Sequence, residues 1–248
     1  MLKVTNDPYL SVEHVPMHTD YALDLDNDVI PNTPFCMFLV GKMGSGKTNL
    51  LLNLMLGAQG GSNFYNKKFD RVFFIGNLKT INSKTEIDLP EDQVFDDLTL
   101  DILLQIEEAI SDSDEAVLLV IDDQTANLKK KGIKDKIMNF TYNMRHKCAS
   151  GKSKKKTPHG LHIIITAQKF NKIEKSVRVV GTHYAMFKPS TTDSKEFCDE
   201  VLSIDKDTFA AIQKLVYDEQ HNFLFYNAKK SLFYKNFNLI EMSEDSDD

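Results

Sequence analysis

The feature that most constrains the fold is a glycine-rich octapeptide, GKMGSGKT, at residues 41–48. It follows the apolar run FCMFLV, residues 35–40, and leads into a segment with the pattern of a helix, from about Lys47 to Leu56. A strand, a glycine-rich turn and a helix in this order gather backbone amides and the positive end of a helix around one point. The stretch therefore predicts a phosphate-binding loop in an α/β fold.

Each part of this loop has a chemical role toward a nucleoside triphosphate. Lys47 can reach the β- and γ-phosphate oxygens, and the Thr48 hydroxyl can be a ligand of Mg²⁺. The candidate nucleotide-binding residues are Gly41, Lys42, Met43, Gly44, Ser45, Gly46, Lys47, Thr48 and Asn49. The alternative, a strand-to-helix turn without a ligand, is disfavoured because motif and context agree. ATP and Mg²⁺ are the expected cofactors.

A second apolar run, AVLLVI at residues 116–121, ends in two aspartates. Besides the hydroxyl of the phosphate-binding loop, the metal needs a carboxylate ligand, and the tip of a neighbouring strand supplies it. We expect Asp122 to be that metal ligand together with Thr48. Asp123 is then the candidate that orients the attacking water or accepts its proton. The alternative for Asp123 is a turn residue at the end of the strand.

The rest of the chain alternates strand-like with helix-like segments. Further strands are expected at residues 71–75, 161–166 and 183–187, and further helices at 98–110 and about 133–147. This alternation predicts a mainly parallel central sheet flanked by helices on both faces. Two short helices near 193–203 and 207–217, followed by a β-hairpin around residues 227–230, predict a C-terminal extension.

Both ends of the chain differ in composition from its centre. Residues 1–33 are polar, interrupted by prolines and without a sustained period, so we expect an extended arm. The last eight residues, 241–248, are mostly acidic and predict a solvated tail. Between them, residues 34–240 are expected to form one nucleotide-binding domain.

Cysteine spacing and hydropathy exclude several classes of protein. Three cysteines without CxxC spacing indicate neither a disulfide framework nor a zinc site, which fits a reducing compartment. No apolar run approaches the roughly 18 residues of a membrane span, and the N-terminal region has no secretory apolar segment. We therefore expect a soluble protein without a membrane partner.

Positive charge is concentrated in one segment although the net charge is −6. Residues 129–156 contain eleven Lys and Arg residues and one acid, Asp135. The candidate DNA-contacting residues within it are Lys129, Lys130, Lys131, Lys134, Lys154 and Lys155. Lysines on phosphates release counterions and so give affinity that does not depend on base sequence. The alternative is a solvated run of charge.

Taken together, these motifs resemble the FtsK/HerA superfamily of P-loop motors. More narrowly, the chain is similar to the poxvirus-type DNA-packaging ATPases of large DNA viruses and their small relatives. The resemblance covers about residues 35–190 and depends on the order of GKMGSGKT, IDD, MRH, GLHIIITAQ and VRVVGTHYAMFK. It implies a RecA-like P-loop fold of the additional-strand type. It also implies a homo-oligomeric ring, usually a hexamer, that hydrolyses ATP between subunits and drives double-stranded DNA through its centre.

The resemblance assigns roles to three further residues. Gln168, at the end of the fourth apolar strand, matches the polar sensor that contacts the γ-phosphate or the water. Arg145, in NMRHK, matches an arginine that acts as a finger into the neighbouring subunit's site, and Arg178, in KSVRVVGTHY, competes for that role. An ordinary salt bridge is the alternative for each arginine. Two departures from the family are Asp123, where many members have Glu, and the longer connection at 148–160.

The function implied is a motor that hydrolyses ATP and translocates double-stranded DNA into a viral capsid. Such a protein is expected in the virion or in a viral factory of the host cytoplasm, with capsid proteins as further candidate partners. One alternative is an ATP-switched module that binds DNA or the capsid without processive translocation. A small-molecule kinase or a GTPase is less favoured, because no Asn-Lys-x-Asp motif follows a late strand and no acceptor-binding lid is evident.

Overall fold

The apolar runs of the sequence form the strands of one mixed sheet. The computed structural model describes residues 22–56, 64–77, 89–150 and 158–241, and nine strands lie within them. They are β1 (Cys36–Val40), β2 (Arg71–Ile75), β3 (Val94–Phe95), β4 (Ala116–Ile121), β5 (Gly160–Ala167), β6 (His183–Phe187), β7 (Phe223–Asn227), β8 (Leu232–Lys235) and β9 (Asn238–Leu239). In β1, β4, β5 and β6 every residue is buried, which is typical of parallel strands covered on both faces.

The strand order places the predicted functional segments side by side. It is β3-β2-β4-β5-β1-β6-β7-β8-β9, parallel from β3 to β6 and antiparallel from β6 to β9. β5 lies between β1 and β4, so one strand separates the glycine-rich loop from the paired aspartates. This arrangement confirms the predicted P-loop fold of the additional-strand type, and the antiparallel strands confirm the predicted C-terminal hairpin.

The helices begin and end close to the predicted positions. They are α1 (Lys47–Leu56), α2 (Leu100–Ile110), α3 (Thr125–Leu128), α4 (Lys131–Tyr142), α5 (Lys175–Arg178), α6 (Thr191–Glu200) and α7 (Lys206–Val216). Side-chain caps set three of the starts, because Thr99, Ser190 and Asp205 each accept a hydrogen bond from a backbone amide in the first turn. Among the residues that the structure describes, no helix has the length and apolarity needed to cross a bilayer.

Two differences from the expected elements have local causes. The helix predicted to extend to residue 147 ends at Tyr142, because Asn143 leaves the helical conformation and its amide caps the last turn. The short helix α3 and the edge strands β3 and β9 are too brief to produce a periodic pattern in the sequence.

The described part of the predicted arm packs against the domain. Leu23 and Ile30 are buried in the core beneath α1, and the Tyr65 hydroxyl donates a hydrogen bond to Pro31 O at 2.7 Å. Residues 22–33 therefore belong to the folded unit instead of extending from it. The remainder of the predicted arm, residues 1–21, and nearly all of the predicted acidic tail, 242–248, lie outside the described residues.

Two apolar cores, one on each face, hold the sheet in place. On one face α2, α4, α6 and α7 cover residues that include Phe38, Leu119 and Ile165. On the other face α1 and the segment 22–33 cover residues that include Leu39 and Ile164. Burial on both faces makes the strands a rigid base for the loops at their carboxyl ends.

Two histidines are buried near the amino ends of the central strands. The His162 ring makes edge contacts with Phe35 and Phe69, and its Nδ1 lies 3.2 Å from Val117 O. Burial lowers the pKa of His162 to about 4. Burial, reinforced by Lys229 and Lys230, lowers the pKa of His183 to about 3. Both imidazoles are therefore neutral in the fold at neutral and mildly acidic pH.

These histidines predict a loss of stability in mild acid. In the unfolded chain they take up protons near pH 6.5, whereas in the fold they do so only near pH 4 and 3. The unfolded state then binds more protons between these values, so stability falls as the pH falls. We expect the two groups to lower the free energy of unfolding by on the order of 3 kcal/mol between pH 6.5 and 5. Urea denaturation across this range measures the slope.

Variants separate this effect from other titrations. The double substitution H162Q/H183Q should remove most of the slope, because glutamine does not titrate. H146Q, at a histidine that is exposed in the fold, should leave the slope as in the wild type. An unchanged slope in the double variant would contradict the assignment.

Candidate nucleotide-binding site

The glycine-rich loop continues from β1 and is anchored to the tip of β5. Gly41 N donates to Ala167 O at 3.0 Å, and the loop closes with Ser45 N donating to Lys42 O at 3.1 Å. Gly46 has a φ of +111°, and a Cβ there would lie 3.1 Å from the Phe187 ring, so this turn requires glycine. Ser45 Oγ is buried and has no hydrogen-bond partner among the described residues, which suits a hydroxyl that faces a phosphate oxygen.

Lys47 begins α1 and directs its ammonium group across the loop. Its Nζ donates hydrogen bonds to Gly41 O and, at 3.2 Å, to Lys42 O. Partial burial lowers the pKa of Lys47, and the negative charges of Asp123 and Asp122 oppose that shift. The lysine and both aspartates therefore interact electrostatically in one site, as the motifs predict.

Asp122 lies at the tip of β4 and is held by a side chain from β5. The Thr166 hydroxyl donates to Asp122 Oδ1 at 2.5 Å and accepts a hydrogen bond from Asp123 N at 3.0 Å. Burial raises the pKa of the Asp122 carboxyl, while the Thr166 hydrogen bond lowers it; Asp123 raises it further and Lys47 lowers it. Thr166 therefore positions Asp122 and stabilises its ionised form.

Sequence reasoning missed Thr166. The signal available was a hydroxyl near the end of the otherwise apolar run GLHIIITA. Its partner is assigned only by the strand register, in which Ile121 lies opposite Ile165 and Asp122 is the next residue beyond this pair.

Asp123 and Gln168 lie together at the exposed edge of the site. Gln168 Nε2 donates to Asp123 Oδ2 at 2.7 Å. Asp123 has a φ of +52°, in the left-handed region that Asp and Asn occupy far more readily than longer side chains. This backbone conformation gives a physical reason for Asp at the position where many members of the family that the motifs resemble have Glu.

The oxygen donors available here fit Mg²⁺. Thr48 is the second residue of α1, directly after Lys47, and Asp122 directly follows the last residue of β4. Mg²⁺ prefers hard oxygen ligands, uses one or two protein carboxylates, and takes its remaining ligands from phosphate and water. The Thr48 hydroxyl and the Asp122 carboxylate supply oxygen donors of this kind.

Arg178 is occupied inside the domain, which corrects its candidacy as an arginine finger. Its guanidinium pairs with Glu200 at 2.7 Å and Glu196 at 2.6 Å and donates to Phe170 O at 3.1 Å. The side chain is only 7% exposed. Releasing it would leave Glu196 without this partner and Glu200, which is 12% exposed, with only the longer contact to Lys175 at 3.5 Å. Arg178 therefore stabilises the packing of α5 on α6 and does not extend toward another subunit.

Arg145 is exposed but lies far from the nucleotide site of its own subunit. It follows Met144, whose carbonyl accepts a hydrogen bond from Leu161 N at the amino end of β5. The eight residues of β5 separate this end from the loop by roughly 25 Å. Arg145 therefore lies at the opposite end of β5 from the glycine-rich loop of the same chain.

The predicted DNA-contacting lysines divide into two groups. Lys129, Lys130 and Lys131 are exposed where α3 leads into α4, and Lys134 is partly exposed one turn later. The first turn of α4 contains no acidic residue, so these cations lie at the positive end of a helix, which is intrinsically unfavourable. Lys154 and Lys155 lie outside the described residues.

Comparison with known families agrees with this geometry. Residues 36–179, more than half of the chain, match the family model described as "NACHT domain". The chain belongs to this family of P-loop NTPases. The match begins at the first residue of β1 and ends just after α5, so it includes the glycine-rich loop, the paired aspartates and Gln168. No curated protein gives a significant match to the sequence of this NTPase.

Solved structures of viral packaging enzymes share the fold. The genome-packaging NTPase B204 of Sulfolobus turreted icosahedral virus 2, in complex with ATP-γS, is 17% identical with a TM-score of 0.56, over 84% of this chain and 98% of B204. The DNA-packaging ATPase B204 of Sulfolobus turreted icosahedral virus is 16% identical with a TM-score of 0.54, over 86% and 100%.

A secretion ATPase also shares the fold. ATPases 2 and 3 of EccC from Thermomonospora curvata, in complex with a signal sequence peptide, are 12% identical with a TM-score of 0.51, over 84% of this chain and 37% of EccC. At these identities the likeness concerns the fold alone. It confirms the predicted P-loop NTPase fold.

We expect the Thr166 hydrogen bond to influence the pH at which NTP hydrolysis begins to fail on acidification. In T166V the strand packing is kept but the donor to Asp122 is lost, so the pKa of the Asp122 carboxyl should rise further. A hydrogen bond to a charged group contributes ~1.5–3 kcal/mol, so its loss favours the protonated carboxyl. Because the ionised form is needed beside a cation, the fall in kcat on acidification should begin at a higher pH than in the wild type.

The pH profile of kcat measures this shift. T141V is the matched control, because Thr141 is also a buried threonine but its hydroxyl donates to Ile137 O within α4. An acid limb in T166V that coincides with those of the wild type and T141V would contradict the role of Thr166.

Proposed function

We propose that this P-loop NTPase is an ATP-hydrolysing motor that translocates double-stranded DNA into a viral capsid. The observation that carries the proposal is the short connection between the nucleotide site and a cluster of exposed lysines. Asp123 lies in the nucleotide site two residues after β4, and Lys129 begins the exposed lysine cluster after the single short helix α3. The fold shared with viral packaging NTPases supports this reading.

In this proposal the nucleotide site binds and orients ATP. The backbone amides of the glycine-rich loop and the Lys47 ammonium bind the phosphates, and the positive end of α1 adds to the attraction. Thr48 and Asp122 would hold Mg²⁺, which when bound neutralises charge on the phosphate oxygens. Thr166 keeps the Asp122 carboxylate ionised and oriented through the hydrogen bond at 2.5 Å.

Asp123 and Gln168 would act on the water that attacks the γ-phosphate. The Asp123 carboxylate orients this water and accepts its proton. Gln168 donates to the same carboxylate at 2.7 Å, so it holds Asp123 and brings its own amide to the edge of the site. Both side chains are exposed, which leaves them accessible to a neighbouring subunit of a ring.

Lys129, Lys130, Lys131 and Lys134 would contact the phosphates of duplex DNA. Such contacts do not depend on base sequence and weaken as salt rises, which suits a protein that moves along DNA. The unfavourable position of these cations at the start of α4 would become favourable when an anion lies beside them. Arg145 of one subunit would act at the nucleotide of the next, in a ring for which a hexamer is the proposed form. Action at the capsid would place the protein in the virion or a viral factory, with capsid proteins as partners.

DNA stimulation of ATP hydrolysis tests this function. We expect the wild-type rate to rise with duplex DNA and to lose that stimulation as salt increases. The triple variant K129E/K130E/K131E should keep its basal rate and lose most of the stimulation, because three phosphate contacts become repulsive. The measurement is the ATPase rate against duplex concentration, together with displacement of a triplex strand as the readout of translocation.

A matched charge reversal is available on another surface. K195E/K206E/K214E makes the same change of charge on α6 and α7 and should retain DNA stimulation. A wild-type ATPase that is indifferent to duplex DNA would contradict the motor. Stimulation without strand displacement would support a nucleotide-switched DNA-binding module instead.

Mixed oligomers test whether Arg145 acts between subunits. R145A and K47A should each be almost inactive alone, because one lacks the arginine and the other lacks the phosphate-binding lysine. Mixing them should restore part of the activity, since a K47A subunit can supply Arg145 to the intact site of an R145A neighbour. ATPase rates across mixing ratios measure the recovery.

The control mixture combines K47A with D123N. These variants damage the same site within each subunit, so no combination of them produces an intact one. Recovery in this control, or none in the R145A and K47A mixture, would contradict the proposed action of Arg145.

A further inference from the structure

A cavity of about 480 Å³ opens beside the glycine-rich loop. Gly46 and Asn49 form its border with the loop and α1, and Phe187 and Phe223 contribute from β6 and β7. In the sheet order, β6 and β7 lie on the side of β1 opposite to β5 and β4. The cavity therefore adjoins the phosphate-binding loop on the side away from Asp122, Asp123 and Gln168.

Aromatic rings form a continuous apolar wall in this cavity. Ring centroids are 5.3 Å apart for Phe187 and Phe223, 5.3 Å for Phe223 and Phe237, and 5.5 Å for Phe64 and Phe237. Phe187 and Phe223 are buried, whereas Phe64 and Phe237 retain part of their accessible surface. The wall thus presents two partly exposed phenyl faces, supported by two buried ones.

The other border of the cavity is polar. His221 Nδ1 lies 3.1 Å from Ser45 O, which connects the segment between α7 and β7 with the glycine-rich loop. Asn53 Nδ2 donates to Asn49 O at 2.7 Å, so an amide side chain is fixed on the α1 side. An aromatic wall with a few convergent polar groups is typical of small-molecule and cofactor sites.

The side chains that act on the terminal phosphate indicate the direction in which a nucleotide extends from the glycine-rich loop. The carboxylates and Gln168 that act on the terminal phosphate belong to β4 and β5, on one side of the loop. The nucleoside at the other end of the phosphate chain must then leave the loop on the opposite side, where Gly46 borders the cavity. The cavity volume also lies within the usual range of ligand sites, ~300–1,000 Å³.

We propose that this cavity holds the purine base of the bound nucleotide, stacked on Phe237, with the tilted Phe64 ring against its edge and His221 at its polar side. A purine fits better than a pyrimidine because its larger ring system covers more of the aromatic wall. The C-terminal extension, which supplies His221, Phe223 and Phe237, is then part of the nucleotide site. The inference rests on the proposed ATPase function, whose phosphates anchor the ligand.

The test compares ATP with inorganic tripolyphosphate, which carries the phosphates without a base. F237A should bind ATP roughly tenfold more weakly and tripolyphosphate as tightly as the wild type, because it removes a stacking face only. L239A is the matched control, since Leu239 follows two residues later with an exposed side chain outside the cavity. K47A should weaken binding of both ligands. Isothermal titration calorimetry measures all four proteins.

Tryptophan at position 237 gives a second measurement that does not depend on a truncated side chain. The chain contains no tryptophan, so the fluorescence of F237W reports on the cavity alone. ATP and GTP should each change this fluorescence, CTP should do so at concentrations several-fold higher, and tripolyphosphate should leave it nearly unchanged.

Two results would overturn the proposal while leaving nucleotide binding intact. One is an equal effect of F237A on ATP and tripolyphosphate. The other is F237W fluorescence that stays constant when calorimetry shows ATP to be saturating. Failure of wild-type protein to bind either ligand would contradict the ATPase function itself and the inference with it.

Discussion

Parallel pairing of β5 with both β1 and β4 is the constraint on which the site depends. The register aligns Val40 with Ala167 and Ile121 with Ile165, so three strands end at one edge of the sheet. Gly41 N then bonds to Ala167 O, and the Thr166 hydroxyl bonds to Asp122. β5 thus supports the phosphate-binding loop on one side and the metal-binding carboxylate on the other. A slip of one residue would turn Thr166 toward the opposite face and separate these contacts.

At this edge of the sheet, burial and the attraction between opposite charges shift the pKa values of Asp122 and Lys47 in opposite directions. Burial raises the pKa of the Asp122 carboxyl and lowers the pKa of Lys47, so each group is less inclined to carry its charge than in water. The two charges oppose those shifts in each other, and the Thr166 hydrogen bond favours the same ionised form of Asp122. Lys47 and Asp122 therefore each favour the charged form of the other, and removing either one weakens that support.

The parts of the site that the sequence predicted are those encoded within a few consecutive residues. The loop at 41–48 and the aspartates after β4 need only their local strand and helix context. Thr166 was missed, because its partner Asp122 is 44 residues away and the pairing exists only in the folded sheet. The same holds for His221 and Phe237 of the proposed base cavity, whose partners are 176 and 173 residues away. For Arg178 the sequence left an arginine finger and a salt bridge both open for the same reason, since the glutamates that pair with it lie on α6. The strand order beyond the motif was available only through the family resemblance.

The lysines after β4 fall into two groups, those that pair with a glutamate inside the domain and those that are exposed. Lys136 and Lys147 both pair with Glu107 on α2, which neutralises them and fastens α4 to the core. Lys129, Lys130 and Lys131 precede that attachment and follow Asp123, so the short helix α3 is bounded by the nucleotide site on one side and by a fixed helix on the other. In the proposed motor, a shift of Asp123 would move α3 and the two lysines that follow it, Lys129 and Lys130, against the attached helix α4.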